Sequence, residues 1–320
     1  EGVPFGVGRP ELVGTLPDYR NRGLVRAQFE IVHEWSAARG EAAQVITGIP
    51  YYYRQFGYEM ALDLDGGRVG YGPHIPKLKP DEPEAYAIRP AVATDLPFLA
   101  SLYERGQARY PLTCLRDEAI WRSELAGRRT ANINRGEWRL IETPGGGPVG
   151  YFAHAARLWR ATLSAQQYEL AAGVSWAAVT PTVIRYLWQT GGVMAQQTGK
   201  EHAAWGLWLG AEHPAYEVAK DRLPRVRQPY AYYVRVPDLP GFLRRILPAL
   251  EARLAASPLA GHTGECKISF YRSGLKLAAQ NGRLSLEEWQ PTPNAGGDAA
   301  FPDRTFLQLL FGYRSLDELK

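Results

Sequence analysis

Arg20, Arg22 and Gly23 stand where a short apolar run, Leu12–Leu16, passes through a proline into a long amphipathic segment. The first N–H groups of a helix have no partner within it and carry partial positive charge. A glycine at that point lets a ligand approach the backbone closely. Flanking arginines favour phosphate. The three residues therefore fit a pyrophosphate cradle, and they fit equally well a solvated charged turn before a surface helix. Two other nucleotide loops are excluded. No GxxxxGK[ST] occurs, and "GVGRPE" at residues 6–11 precedes the strand it would have to follow and lacks a third glycine. Tyr51, Tyr52, Tyr53 and Tyr58 form a second concentration of chemistry-bearing side chains, which also reads as an aromatic packing cluster. His33 and Glu34 read as a solvated helix face.

The elements that must position these residues follow from periodicity. Leu12–Leu16 reads as a strand. Leu24, Ile31, Trp35 and Ala38, widened by Val25, Phe29 and Val32, give one helical face that Gly40 closes. Residues 44–49 read as a second strand, so the segment has the size of a crossover between parallel strands. A short helix at 50–57 and a hairpin with its turn near Asp65–Gly67 follow. From residue 86 the pattern restarts. It runs strand, a cap at Thr94, a helix buried through Leu96, Leu99 and Leu102, a glycine-turn hairpin at 137–158, and a strand at 166–173. A helix then begins near Ser175 with Pro181 in its first turn, and strands follow at 203–210 and 230–238. The last region is a helix interrupted by Pro248, three short strands with turns at "RSG" and "NGR", and a helical 302–319. Mixed strands and helices in three segments predict an α/β (α+β) architecture.

Bulk composition narrows the function classes. A chain of 320 residues is long for one core. The net charge of +4, from 37 basic and 33 acidic residues, is spread along the chain without the dense stripe a nucleic-acid surface needs. No apolar run reaches the roughly 18 residues of a membrane span. Cys114 and Cys266 lie far apart and no Cys/His cluster has ligand spacing, so no metal site is expected and two reduced thiols of a cytoplasmic protein are. His154, His202 and His213 also lack ligand spacing, and Trp176, Trp188, Trp205 and Trp208 read as core.

The run "VGTLPDYRNRGLVRAQF … AAQVITGIPYYYRQFGYEMAL" resembles the GNAT (GCN5-related) N-acetyltransferases. Their phosphate loop, Gln/Arg-x-x-Gly-x-Gly/Ala, is matched by Arg20-Asn21-Arg22-Gly23-Leu24-Val25, with Val25 departing from the pattern. Their Tyr-x-x-x-Gly-Phe signature is matched by Tyr53-Arg54-Gln55-Phe56-Gly57-Tyr58, with Tyr58 in the last place. Within that superfamily the likeness is closer to the enhanced-intracellular-survival type. It implies a fold of three parts. Residues 1–72 would be the C-terminal part of a catalytic GNAT domain, 73–85 a linker, 86–238 a second, degenerate GNAT-like domain, and 239–320 a sterol-carrier-like α+β domain. It also implies that the chain is a fragment missing its true start, and that Lys320 is not the real end if the natural chain continues.

The resemblance implies transfer of acetyl from acetyl-CoA to an amine of a small molecule or peptide, in a homo-oligomer. Leu12, Val13, Gly14 and Thr15 would offer backbone groups to pantetheine and acetyl, with a bulge at Gly14 opening the slot. The amides of Arg22, Gly23, Leu24 and Val25 would take the pyrophosphate, with Arg20 adding charge. Tyr53 would be the general acid, since a phenol carries an available proton at neutral pH. The segment after residue 173 lacks the Arg-x-x-Gly pattern, so phosphate binding is not expected there. A rival reading, from the sterol-carrier-like end, is a non-catalytic carrier of apolar ligands or an assembly module.

Overall fold

The computed structural model describes residues 2–293, 296–302 and 304–320. In chain order the elements begin β1 (Val7–Gly8), α1 (Leu24–Ala38), β2 (Ala43–Ile46), a 3-10 turn at Tyr52–Phe56, β3 (Glu59–Leu64) and β4 (Gly67–Tyr71). They continue β5 (Ala87–Pro90), α2 (Leu96–Gln107), α3 (Glu118–Arg122), β6 (Gly136–Glu142), β7 (Pro148–Ala155), β8 (Thr162–Leu170) and α4 (Trp176–Thr198). Next come β9 (Ala204–Leu207), α5 (Pro214–Ala219), β10 (Arg225–Arg227), β11 (Tyr230–Arg235) and α6 (Leu239–Ala255). The chain ends β12 (Gly264–Ser269), β13 (Gly274–Gln280), β14 (Arg283–Trp289), β15 (Ala299–Ala300), α7 (Thr305–Leu310) and α8 (Leu316–Leu319). The fold is mixed α/β, and the chain divides into two compact units.

One unit joins Glu1–Asp63 to Ala231–Lys320. Its first sheet has the order β1-β2-β11-β3. β1 runs parallel to β2, Val7 beside Ala43 and Gly8 beside Gln44, and β11 runs antiparallel to β2. The crossover between β1 and β2 is α1, which buries Phe29 and Ser36. Gly40 ends it in the left-handed region, where its N–H reaches the Ala37 carbonyl. The second sheet, β14-β13-β12-β15, buries Leu275 beneath Leu243 of α6 and Phe306 of α7.

The other unit, Leu64–Tyr230, is built on one sheet of order β10-β4-β9-β8-β7-β6-β5. Strand alternation gives it two cores. Ile141 and Phe152 point to the side packed by Val183, Ile184 and Leu187 of α4. Leu140 and Tyr151 point to the side packed by Leu96, Leu99 and Leu102 of α2. β8 and β9 form its parallel pair, from Thr162–Ala204 to Ala165–Leu207.

Several expectations change. Leu12–Leu16 is not a strand, and Gly14 is not a bulge in one. Pro10 has no N–H to give, Leu12 takes φ 57° and is 98% exposed, and no described strand pairs with the segment. The exposed flank of α1 carries Leu24, Ile31 and Trp35, and the buried one carries Phe29 and Ser36. β3 and β4 are not a hairpin, since they belong to different sheets and each takes partners distant in sequence. Thr94 is not a cap. Asp95 is the N-cap of α2 but makes no side-chain cap bond to it, its carboxylate accepting instead from the Val92 amide at 2.8 Å. Pro181 and Pro248 both lie inside helices that continue through them, and residues 302–319 break into two helices around Gly312.

Candidate functional site

The site is built around the N-terminus of α1. Gly23 is its N-cap, at φ 74°, and Asn21 before it also has a positive φ of 60°. A side chain at residue 23 would meet nothing within 4 Å, so glycine is required by the backbone angle and not by crowding. The first helical hydrogen bond runs from the Ala27 amide to the Gly23 carbonyl. The amides of Leu24, Val25 and Arg26 therefore precede the helical ladder, and no side chain caps them. Arg22 is held in place. It donates to the Asp18 carbonyl at 2.9 Å and lies over the Tyr19 ring. Arg20 is exposed, with no side-chain partner among the described residues. Arg26 donates to Gln55 and sits over Phe56, tying this end of the helix to the tyrosine-bearing turn.

Two adjoining grooves run from that terminus along α1. The smaller, about 220 Å³, is bounded by Gly14, Thr15, Leu16, Tyr19, Leu24 and Gln28. The larger, about 560 Å³, lies between residues 8–14 and the Gln28, Ile31 and Trp35 flank of the helix. The β1–β2 ladder lasts two residues, after which the two chains part, and Gln44 lies at the floor of the larger groove. Of the sequence-predicted residues, Leu12, Val13, Gly14, Thr15 and Leu24 thus line the grooves, with Arg22 and Gly23 on the same turn. Residues 12–15 do so as irregular backbone and not as a strand.

Tyr53 lies deeper. Its ring is 6% exposed and packs among Phe29, Tyr58 and Tyr233, an apolar cluster that Val13 and Val25 also touch. Phe29 lines the larger groove and packs against the Tyr53 ring, 5.8 Å away between ring centroids. Tyr51 is exposed, Tyr52 half-buried and Tyr58 fully buried, so packing accounts for the last of these as sequence suggests.

A polar network missed in the sequence backs this cluster. His33 Nε2 and the Tyr58 hydroxyl are 3.0 Å apart. Burial, with the Arg235 charge adding, lowers the His33 pKa to about 4. Burial also pushes the Tyr58 phenol up. His33 is therefore neutral, and its Nε2 and the Tyr58 hydroxyl share one hydrogen bond. Arg235 donates to Gln44 at 2.7 Å, and Gln44 donates to Ser36 at 2.7 Å. Gly57, at φ 87°, faces the Arg235 side chain, where a Cβ would stand 3.3 Å from Nε. Arg235 enters from β11, a partner no local spacing points to. Among the described residues no cluster of acidic, His and Cys side chains could hold a metal, and no helix is long and apolar enough to cross a membrane.

Solved structures that share this fold include GCN5-related N-acetyltransferases. A probable N-acyltransferase from Enterococcus faecalis superposes with a TM-score of 0.62 at 16% identity, over 98% of this chain and 74% of its own. A GCN5-related N-acetyltransferase from Anabaena variabilis gives 0.57 at 17% identity, over 96% and 72%. Eis1 from Mycobacterium abscessus gives 0.52 at 16%, over 97% and 73%. No family model matches the sequence, and no curated protein sequence does.

Proposed function

We propose that the chain is an acetyl-CoA-dependent N-acetyltransferase. The single observation that carries this reading is the uncapped N-terminus of α1, opened by Gly23 beside two arginines at the end of a long groove. Acetyl-CoA is the co-substrate and an amine of a small molecule or peptide the acceptor. The amides of Leu24 and Val25, with Arg22 and Gly23, would hold the diphosphate, and Arg20 would add charge. The backbone of residues 12–15 would hold the pantetheine and acetyl arm. An amine attacks the thioester carbonyl, the tetrahedral adduct loses the nitrogen's proton to solvent and collapses, and the C–S bond breaks, solvent later restoring the phenol proton. Tyr53 would give its hydroxyl proton to the departing thiolate. The transfer requires the sulfur to come within hydrogen-bonding reach of that hydroxyl. A cytoplasmic homo-oligomer with a sterol-carrier-like arrangement over residues 239–320 completes the reading.

Isothermal titration with acetyl-CoA tests it. Binding with a 1:1 stoichiometry that Arg22→Glu weakens is the expected result. Lipid retained on the purified protein with no heat from acetyl-CoA would instead establish the rival carrier role.

A further inference from the structure

We propose that Tyr103, Trp121, Trp138 and Gln167 form a binding site for a guanidinium-bearing ligand, which Arg116 now fills and which residues 108–117 close as a strap. The site lies within the Leu64–Tyr230 unit, and the inference does not rest on the transferase reading.

The floor is a row across the sheet. Trp138 on β6, Ala153 on β7 and Gln167 on β8 stand opposite one another in the antiparallel register, on the face that α2 covers. A methyl group between an indole and a carboxamide leaves a trough, and the Arg116 guanidinium reaches both sides of it. Tyr103 of α2 and Trp121 of α3 are the walls. The rings stand steeply to one another, Tyr103 and Trp121 at 88° with centroids 5.4 Å apart, Trp121 and Trp138 at 69° and 5.3 Å. Arg116 Cζ is 4.2 Å from the Tyr103 centroid, 5.1 Å from that of Trp121 and 6.0 Å from that of Trp138. All three are within reach of a cation–π attraction. Aromatic faces attract any organic cation, and Gln167 narrows the choice. Its carbonyl oxygen accepts an N–H, which a quaternary ammonium lacks, and a flat guanidinium stacks where an ammonium does not.

Two features make Arg116 an exchangeable occupant. The first is unused bonding. A guanidinium is rich in donors, yet Arg116 makes one side-chain hydrogen bond among the described residues, from Nη1 to Gln167 at 3.2 Å. One row along the sheet, Tyr151 faces Glu169 and tilts against the Trp138 ring. It is fully buried, and its hydroxyl has no partner. Burial raises its pKa, and the charges of Glu169 and Arg116 both act on it, so this unmet oxygen borders the cage. A guanidinium free of the tether at residue 116 can turn a further N–H toward it. The second feature is the strap. Between the end of α2 and the start of α3, only Thr113 and Arg116 are not exposed. Tyr110, Leu112 and Leu115 are all exposed, so no apolar side chain of the strap is buried. Polar bonds hold it instead. Arg109 pairs with Glu169, the Tyr110 hydroxyl donates to the Glu212 carbonyl, and Tyr103 and Gln107 donate to the Cys114 carbonyl. A segment with so little apolar burial opens at low free-energy cost.

The test follows Tm of the whole chain against methylguanidinium and against a doubly blocked arginine amide, at constant ionic strength, with tetramethylammonium as the control cation. The expected result is a saturable rise in Tm with a guanidinium probe and none with tetramethylammonium. Tighter binding of the arginine amide would assign the site to a peptide side chain, and tighter binding of methylguanidinium to a small guanidine. Arg116→Ala empties the cage and should bind the probe at least about tenfold more tightly, since a strap closed at rest is open no more than about a tenth of the time. Trp138→Leu should abolish the response, and Gln167→Met, which lies outside the buried core, carries the same test if that variant does not fold. A response in Arg116→Ala with none in the wild type would make Arg116 a fixed structural prop and overturn the proposal. So would the absence of any response in both, or an equal response to tetramethylammonium.

Discussion

Gly48 lies flat against Tyr53. A Cβ on residue 48 would stand 3.0 Å from the phenol oxygen and 3.1 Å from Cζ, closer than real side chains pack. The backbone that follows β2 is therefore shaped around this ring. Gly48→Ala should push the phenol aside, while Tyr53→Phe removes its proton and keeps its packing. Both should lower kcat, Tyr53→Phe by about 100-fold or more if proton transfer to the thiolate limits turnover. The Kd for acetyl-CoA should hardly change for Tyr53→Phe, which keeps the ring packed in the cluster that Val25 touches. Pre-steady-state kinetics with calorimetry on the same variants checks the split. A wild-type kcat for Tyr53→Phe, with chemistry shown to be rate-limiting, would remove the tyrosine from the mechanism.

His33 makes stability depend on pH. Its pKa falls from 6.5 to about 4 on folding, through burial and the Arg235 charge. The unfolded chain therefore binds more protons than the folded one between those values, and stability rises with pH across that window. The contribution is fully present above about pH 6.5 and is lost as pH falls to about 4. Since the ring is only half-buried, solvent screening leaves on the order of 1 kcal/mol. His154, lowered to about 4, and His213, lowered to about 3, act in the same direction within the Leu64–Tyr230 unit, both through burial. Thermal melts at pH 7 and pH 5 should show a drop in Tm that His33→Gln reduces. Tyr58→Phe should cost about 1–3 kcal/mol by leaving His33 Nε2 unmet.

The legible part of this protein is local. Helix α1, its glycine stop, the β6–β7 hairpin and the buried face of α2 follow from apolar period and turn residues, because each is settled by neighbours within a few positions. The loop at Arg20–Gly23 was legible for the same reason. What sequence could not give is pairing. β3 and β4 read as one hairpin because Asp65, Gly66 and Gly67 have turn chemistry, yet β4 pairs with β9 and β10. Arg235 reaches Gln44 across 191 positions, and nothing near either residue signals it. Leu12–Leu16 misled for another reason. Apolar composition favours a strand, but a strand also needs a ladder, and Pro10 with the left-handed Leu12 breaks the extended run.

Gly23 should be intolerant of any side chain although there is room for one. At φ 74° an alanine costs about 1 kcal/mol in backbone energy, with no clash to relieve. Gly23→Ala should therefore lower Tm slightly, and should weaken acetyl-CoA binding more than that loss explains if the turn shifts its amides. Gly23→Asn should recover part of both, since asparagine enters the left-handed region more readily. Equal effects of alanine and asparagine on binding would argue against the amides as the diphosphate cradle.

Arg20 and Arg22 carry the same charge and should nevertheless fail differently. Arg22 donates to the Asp18 carbonyl and covers Tyr19, so its guanidinium fixes the turn that precedes Gly23. Arg20 is exposed, and its contribution is a charge alone. Replacing Arg20 with Gln removes a screened Coulomb attraction, so the loss of acetyl-CoA affinity should be about two- to fivefold at low salt and fade near 0.5 M salt. Replacing Arg22 with Gln also removes the carbonyl bond and the ring contact, so its loss should be larger, about tenfold, and should persist at high salt. Lysine should restore Arg20 almost fully and Arg22 poorly, because an ammonium keeps the charge but not the flat stack over Tyr19. Calorimetric Kd values at two salt concentrations for the four variants separate the roles. Parallel salt dependence for the Arg20 and Arg22 series would mean that both act only as charges and that the turn is set by Gly23 alone.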